Sequence, residues 1–263
     1  MTPEPPRVGL RFAGELRFFL AAGHRRAESV QVAHDGTSTL GHVVQSLGVP
    51  LTEVGELTVH GCRVGPSYRP RGTVTAVVDA PHRPQPVAAP APLRFVLDVH
   101  LGALARRLRL VGLDAAYAND ASDDALLEQA GTERRVLLTQ DRGLLLRRAL
   151  WCGAYVRGDR PDAQLLDVLD RFAPGLAPWK RCVACNGALT PVAKSEIAPL
   201  LRPGTRRTYD TFMRCRDCSR LYWRGAHSGK LEAVVAAAWE AVRTSGGGDL
   251  PSAETDTAHA PRE

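Results

Sequence analysis

The sequence predicts an α/β fold built around a parallel sheet, and three observations support this class. Two short apolar runs, at residues 95–97 and 136–138, do not alternate with polar residues, as expected for strands that are buried on both faces. A weaker run at residues 154–156 is a third candidate strand. Helical spacing of apolar residues follows each run, so strands and helices alternate from 93 to 173. This alternation is typical of parallel strands joined by right-handed crossovers.

Length and composition limit the class of protein. A chain of 263 residues is long enough for two or three compact domains. Its hydrophobic content of 44% is that of an ordinary globular protein, and no apolar run approaches the ~18–20 residues of a membrane span. The amino terminus lacks the charged and then apolar pattern of a secretory signal. We therefore expect a cytoplasmic protein that has no membrane partner.

Domains are expected on both sides of this region. Residues 1–80 contain two predicted strands, a helix that ends at Gly48 and Pro50, and two further strands, which is the order of a small β-grasp domain. Residues 81–92 contain five prolines and indicate a semi-rigid, extended linker outside any core. The parallel-sheet domain is expected over 93–173 and a zinc ribbon over 174–230. Residues 231–263 are expected to be a helix remnant and a disordered tail.

Aspartates follow each of the three predicted strands. Asp98 and Asp141 stand at or just beyond the ends of the first two strands, and Asp159 follows the third. Ligands of open α/β sheets gather outside the carboxyl ends of the strands, so we expect these carboxylates to lie near one another. Carboxylate oxygens select Mg²⁺ or Mn²⁺ over zinc, and such ions assist phosphodiester hydrolysis. The sequence therefore predicts a divalent-metal cluster.

The segment between the first two apolar runs adds a helix-borne candidate. Asp123 is the preferred ligand there, with Asp120 and Asp124 as close alternatives. The predicted catalytic residues are Asp98, Asp123, Asp141 and Asp159. The residues predicted to bind the metal cofactor are Asp98, Asp120 and Asp141. Structural roles stay open, because acids at a helix start complement its dipole, Asp141 suits an N-cap, and Asp159 suits a turn.

Four cysteines predict a second and different metal site. Two C-x-x-C pairs separated by 29 residues are formed by Cys182, Cys185, Cys215 and Cys218. In a cytosolic chain this spacing indicates a tetrahedral structural zinc site, in which four thiolates leave no open position for water. A redox pair and unliganded cysteines are the alternatives. Cys62 and Cys152 have no such spacing and are expected to be buried, inert thiols.

Positive charge is concentrated around these cysteines. Residues 176–230 carry eleven basic residues against three acidic ones, which favours a polyanion as partner. Tyr222, Trp223 and Arg224 suit the stacking of unpaired bases and the holding of phosphates. The alternatives are that the arginines form a solvated face and that Trp223 packs in the core of the ribbon.

The central motifs resemble a known family. The run D-x-H-L-G-x-L-A-R-x-L-R-L-x-G-L-D from Asp98, followed by N-D-x-x-D, L-L-T-x-D-R and V-R-G-D, is similar to the Mut-7 C-terminal ribonuclease domain, a PIN-like nuclease with a zinc ribbon. The resemblance implies metal-dependent hydrolysis of RNA by strand-end aspartates. His100 and Gln140 depart from the family pattern without removing a carboxylate. A non-catalytic RNA- or protein-binding adaptor that retains the nuclease fold is the alternative function.

The amino-terminal domain resembles the ubiquitin-like sulfur carriers. The matching residues are Arg11 and Phe12, the turn at residues 47–50, and residues 60–64. A sulfur carrier needs a free Gly-Gly end, whereas this chain continues through Val77, Val78 and Asp79 into further residues. We therefore expect a binding or scaffolding module with a possible protein partner.

Overall fold

The computed structural model describes residues 6–225 and 228–245. Its first domain is a five-stranded sheet in the order β2-β1-β5-β3-β4, with a helix, α1 (Leu40–Ser46). The strands are β1 (Arg7–Phe12), β2 (Val30–Ala33), β3 (Leu57–Val59), β4 (Cys62–Val64) and β5 (Val74–Val78). The strands β1 and β5 are parallel neighbours, and the other pairs are antiparallel. The predicted β-grasp domain is confirmed, with one core of its own. The first strand predicted after the helix is instead the hairpin of β3 and β4, because the chain turns at His60 and Gly61, both of which have positive φ.

The second domain contains a four-stranded sheet in the order β7-β6-β8-β9, in which every pair is parallel. Its strands are β6 (Arg94–Leu97), β7 (Asp114–Tyr117), β8 (Val136–Thr139) and β9 (Gly153–Tyr155). Its helices are α2 (Gly102–Leu110), α3 (Asp123–Thr132), α4 (Arg142–Leu145) and α5 (Pro161–Phe172). Every residue of β8 is buried, because apolar clusters cover both faces of the sheet. The predicted α/β class is confirmed.

The four cysteines lie in a small antiparallel sheet, which we call the cysteine ribbon (residues 174–225). Its strands are β10 (Leu189–Val192), β11 (Phe212–Cys215) and β12 (Leu221–Tyr222). The long connection between β10 and β11 contains two short helices, α6 (Lys194–Ile197) and α7 (Pro203–Thr208). The exposed Arg206 and Arg207 are carried by α7.

The chain then returns to the parallel-sheet domain. An 18-residue helix, α8 (Ser228–Ser245), packs along α5 and buries Ala238 and Val242 in the same core as Phe95. The sequence predicted only a helix remnant here, whereas the structure describes an 18-residue helix whose apolar side chains pack into this core. The disordered tail was expected from Ser245 onward, but Ser245 ends α8 and its hydroxyl donates to Asp170 at 2.8 Å. The rest of the predicted tail, from residue 246, lies outside the described residues. Within the described ranges, no helix has both the length and the apolar character needed to cross a membrane.

The proline-rich segment 81–92 follows the surface of α5. The Arg83 guanidinium donates to the carboxylates of Asp167 and Asp170, at 2.9 and 2.7 Å. Further along, the Gln85 N–H donates to the Arg171 carbonyl at 2.6 Å, and Val87 packs against the core of the parallel-sheet domain. The expectation that this segment lies outside any core is therefore wrong at Val87. The segment is fastened to α5 at several points along its length.

Candidate active site

A buried hydroxyl joins two of the predicted aspartates. Thr139, the last residue of β8, donates its Oγ1 hydrogen to Asp98 Oδ2 at 2.6 Å and accepts the Asp141 N–H at 2.8 Å. Thr139 is 0% exposed and Asp98 is 6% exposed. The contact forms because β6 and β8 are adjacent, with Leu97 opposite Leu138, so their carboxyl ends lie side by side. The structure thus brings Asp98 and Asp141 into one hydrogen-bonded chain.

Asp141 also begins a helix. Its Oδ1 accepts hydrogen bonds from the N–H groups of Gly143 and Leu144, at 2.6 and 3.4 Å, and so caps α4. The N-cap role left open by the sequence is therefore observed. Capping occupies Oδ1, and in the described part of the chain no hydrogen bond reaches Oδ2. Asp141 is exposed, so that second oxygen can face a ligand.

The loop before Asp159 is fastened to the same edge of the sheet. The Gln140 amide donates to the carbonyls of Val156 and Gly158, at 3.0 and 2.8 Å. Gly158 has a φ of +100°, which favours glycine, and an added Cβ would lie 3.1 Å from the Ala163 Cβ. Gln140, the residue before Asp141, is therefore tied to the loop that leads to Asp159. Asp159 itself is exposed.

The acids of the connecting segment lie at the start of α3. Asp120, Asp123 and Asp124 are all exposed, and the N-cap is Ser122, whose hydroxyl accepts the Ala125 N–H at 3.3 Å. Asp124 forms an ion pair with Arg147 at 2.6 Å. Because α3 follows the carboxyl end of β7, this helix start belongs to the same edge of the sheet. Asp120 and Asp123 remain as the helix-side candidates without such an ion pair.

We call this edge, with Asp98, Asp141 and Asp159, the carboxylate edge. Its acids share an edge but do not converge on one point. Among residues 6–225 and 228–245, one group of three or more His, Cys, Asp or Glu side chains has ligand atoms that all lie within 4.8 Å of one another. That group is the four cysteines. No such group includes three of the predicted aspartates.

The cysteine cluster has the geometry of a tetrahedral thiolate site. The Sγ atoms of Cys182 and Cys218 are 3.7 Å apart, and those of Cys185 and Cys215 are 3.4 Å apart. A zinc ion with bonds of about 2.3 Å separates its sulfur ligands by about 3.8 Å, so four thiolates fit the ion. Both C-x-x-C turns repeat one hydrogen bond, from Asn186 N–H to the Cys182 carbonyl and from Ser219 N–H to the Cys215 carbonyl.

The thiols differ in how easily they ionise. Burial raises the pKa of Cys182, but hydrogen bonds from the Tyr222 hydroxyl and from nearby backbone N–H groups outweigh it and lower this pKa to about 6. Burial raises the pKa of Cys185 to about 12, and the neighbouring thiols add to the rise. The Cys182 thiol therefore ionises more readily than the Cys185 thiol.

A polar network joins the cysteine ribbon to the parallel sheet. Asp114, at the start of β7, accepts hydrogen bonds from Arg135 at 2.6 Å, Asn186 at 2.8 Å and Arg181 at 3.1 Å. The Asn186 Oδ1 accepts the Ala115 N–H at 3.1 Å. Burial raises the pKa of Asp114, but these partners outweigh it and lower the pKa overall. The ribbon thus attaches at the amino end of β7, the opposite end of the sheet from Asp98.

Arg109 strengthens the same junction. This buried side chain on α2 donates to the carbonyls of Ala115, Val183 and Ala184, at 2.9, 3.3 and 2.8 Å. Two of those carbonyls belong to the first C-x-x-C turn. No expectation from the sequence covers this junction, whose local signal is the Asn186 that directly follows Cys185.

The aromatic residues of the ribbon lie partly in solvent. Trp223 is 43% exposed, and its ring centroid is 6.1 Å from that of Phe212. The Arg224 guanidinium carbon lies 5.3 Å from the centroid of the Trp179 ring. Trp223 therefore contacts the small core and also presents a face to solvent. The two interpretations of Trp223 left open by the sequence are compatible with each other.

Comparison with known proteins gives two matches to protein-family models. The model described as the Mut7-C RNAse domain matches residues 93–235, and the model described as Mut7-C ubiquitin matches residues 6–80. No curated protein and no solved structure matches the chain. The first match spans the parallel-sheet domain, the cysteine ribbon and part of α8, and it covers more than half of the chain. The chain therefore belongs to the Mut7-C ribonuclease-domain family and carries a ubiquitin-like domain in front of it.

Proposed function

We propose that this protein is a PIN-like, metal-dependent ribonuclease that hydrolyses RNA phosphodiester bonds at the carboxylate edge. The observation that carries the proposal is the hydrogen-bonded chain Asp98–Thr139–Asp141 at the carboxyl ends of adjacent parallel strands. Ligands of parallel α/β sheets bind at such an edge. The proposed catalytic residues are Asp98, Asp123, Asp141 and Asp159, and the proposed metal ligands are Asp98, Asp120 and Asp141.

The donor atoms at this edge are of the chemical type that binds magnesium or manganese. Thr139 contacts one oxygen of Asp98 and α4 contacts one oxygen of Asp141, so each carboxylate keeps a second oxygen without a hydrogen bond in the described structure. Hard oxygen donors of this kind suit Mg²⁺ or Mn²⁺. A divalent ion bound there supplies charge stabilisation for the phosphate and lowers the pKa of water. The role of the chain is to hold the carboxylates in place.

The cysteine ribbon is assigned a supporting role in RNA binding. Its four thiolates fill a tetrahedral coordination sphere, so a zinc ion there has a structural and not a catalytic function. Exposed arginines on α7 and after β11, namely Arg206, Arg207 and Arg216, suit the phosphates of a polyanion. The exposed face of Trp223 suits the stacking of an unpaired base.

A cleavage assay with matched variants tests the proposal. Mixed single-stranded and structured RNA is incubated with full-length protein, with and without Mn²⁺. We expect Mn²⁺-dependent cleavage by the unaltered protein and none by Asp98→Asn or Asp141→Asn. Asparagine caps helices about as well as aspartate, so Asp141→Asn removes the charge and keeps the start of α4. Asp210→Asn, which alters an exposed acid paired with Lys194 in the ribbon, is the control that keeps full activity.

The assay also distinguishes the alternative function. Full cleavage by both carboxylate variants contradicts the assigned metal site. If the unaltered protein binds RNA but shows no Mn²⁺-dependent cleavage, the non-catalytic adaptor is supported. The observation that favours this alternative is the separation of the carboxylates.

A further inference from the structure

The ubiquitin-like domain is joined to the edge strand of the parallel sheet by a buried charge. The Glu53 Oε1 accepts the Tyr155 N–H of β9 at 2.8 Å, and both Glu53 oxygens accept from the Arg171 guanidinium at 2.9 Å. Arg171 also donates to the Thr52 carbonyl at 2.9 Å. Glu53 is 1% exposed and Arg171 is 2% exposed. The first domain therefore provides a hydrogen-bond acceptor for an edge strand of the second domain.

An aromatic cluster extends the same contact to helix α4. Phe18 and Phe19 lie at the end of a 3₁₀ turn, and the Tyr155 ring centroid is 5.3 Å from each of theirs. The guanidinium carbon of Arg142 lies 4.2 Å from the Phe18 ring centroid, within the range of a cation–π contact. An Arg142 N–H also approaches the Phe19 carbonyl at 3.5 Å. Phe18 is 43% exposed, so its ring packs on Arg142, Phe19 and Tyr155 with one side in solvent.

The two contacted residues belong to elements of the carboxylate edge. Arg142 directly follows Asp141 and is the first residue of α4. Tyr155 is the last residue of β9, four positions before Asp159. Asp98 directly follows β6, which is separated from the first domain by two strands of the sheet. The ubiquitin-like domain therefore holds the supports of Asp141 and Asp159 but not that of Asp98.

We propose that the ubiquitin-like domain acts as a brace for the nuclease site. In this brace Phe18 is a positioning residue for Asp141, because it contacts Arg142. Glu53 is a positioning residue for the loop of Asp159, because it contacts Tyr155. This inference rests on the proposed function, because it concerns the same carboxylates. A brace of this kind matters because the carboxylates of the edge are separate from one another and must be held at a fixed spacing for one ion. Displacing a reacting group by about 1 Å lowers rates by roughly 100-fold.

The test uses the full-length protein and the exposed member of the contact. Phe18→Ala removes the ring on which Arg142 lies, and Phe18→Tyr keeps an aromatic face. Leu200→Ala is the matched control, because Leu200 is an exposed apolar side chain in the ribbon. For each variant, kcat and KM are measured with Mn²⁺ and RNA, Mn²⁺ affinity by calorimetry, and unfolding by thermal melting. Arg142→Met removes the guanidinium of the same contact, which belongs to the parallel-sheet domain.

We expect Phe18→Ala and Arg142→Met to lower kcat by about tenfold or more and to weaken Mn²⁺ binding, with KM changed less than about twofold. Phe18→Tyr and Leu200→Ala are expected to behave like the unaltered protein. Unchanged kcat and Mn²⁺ affinity in folded Phe18→Ala, while the unaltered protein cleaves RNA, would overturn the brace and leave the proposed function intact. The proposed function itself fails if two results are found together. The unaltered protein does not cleave RNA with Mn²⁺, and Asp98→Asn does not remove any Mn²⁺ binding.

Discussion

At the scale of single residues, the site depends on a threonine that has no charge of its own. The Asp98 carboxylate is nearly buried, and burying a charge is costly unless hydrogen bonds compensate. Thr139 supplies one such bond and at the same time receives the backbone N–H of Asp141. One hydroxyl therefore fixes the side chain of one aspartate relative to the backbone of the other. This requires a residue with both donor and acceptor capacity, which threonine and serine provide.

Substitution of Thr139 tests this linkage. Thr139→Val keeps the shape of the side chain but leaves Asp98 Oδ2 and the Asp141 N–H without their partner. We expect a loss of about 1–3 kcal/mol in the free energy of unfolding, and a lower cleavage rate. Thr139→Ser keeps the hydroxyl and should retain most of the activity. Urea denaturation and the Mn²⁺-dependent assay measure both effects. Equal activity of the valine and serine variants would show that the hydroxyl does not position the carboxylates.

At the scale of secondary-structure elements, the cysteine ribbon is part of the framework of the parallel sheet. Asn186 follows the first C-x-x-C turn and bonds the Ala115 N–H on β7, while Arg109 on α2 holds two carbonyls of that turn. The shape of the turn, which a bound zinc ion would fix, therefore determines how the ribbon meets β7. From the sequence alone, zinc loss is expected to unfold residues 176–230 only. The observed junction extends the expected effect to the edge of the parallel sheet.

Zinc removal should therefore loosen β7 as well as the ribbon. We expect purified protein to contain about one zinc ion per chain, and chelation or Cys182→Ser to release it. Amide hydrogen exchange at Ala115 should then accelerate, because its partner Asn186 loses its fixed position. The Leu10 amide in β1 is the internal control and should keep its protection. Ribbon amides that exchange faster while Ala115 stays protected would show that the junction survives without the metal.

The same elements show what the sequence can predict. Buried strands and the helices between them follow from local apolar patterns, and Asp98 and Asp141 are candidates because they stand at or just beyond the ends of such strands. The grouping of the four cysteines follows from their spacing alone. The contacts of Asn186 with Asp114 and of Arg142 with Phe19 join residues 72 and 123 positions apart. No local pattern encodes them, because they depend on how complete domains dock.

At the scale of the whole molecule, one buried ion pair connects the first domain to the second. Glu53 and Arg171 have almost no contact with solvent, and the linker contacts of Arg83 and Gln85 lie on the same helix, α5. Removing one partner of a buried pair leaves the other charge without compensation. The two domains are therefore coupled in stability, and the ubiquitin-like domain is not simply tethered by a flexible segment.

Glu53→Ala measures this coupling. We expect it to destabilise the protein by about 3–5 kcal/mol, because Arg171 remains buried without its counter-ion. The first domain should then melt separately, so that calorimetry shows two transitions where the unaltered protein shows one. Glu56→Ala removes a half-buried acid of the same domain that pairs with Arg63, and it should cost much less. Similar losses in the two variants would argue against a coupling role for the buried pair.

The contribution of the ribbon to RNA binding is also a property of the whole molecule, because the ribbon attaches at the opposite end of the sheet from Asp98. If Arg206, Arg207 and Arg216 contact the RNA backbone, replacing all three with alanine should weaken binding to every sequence. Each lost phosphate contact should reduce the slope of log affinity against log salt by about 0.7 for a single strand.

A matched triple variant separates this effect from a general change in charge. Arg11, Arg26 and Arg71 are exposed arginines of the ubiquitin-like domain, and their replacement changes the net charge by the same amount. We expect the control to leave the salt slope near that of the unaltered protein, because distant charges are screened beyond about 10 Å at 0.1 M salt. RNA affinity measured at several salt concentrations compares the three proteins. If the slope is unaltered in the ribbon variant, these arginines do not contact the RNA backbone and the role of the ribbon is structural only.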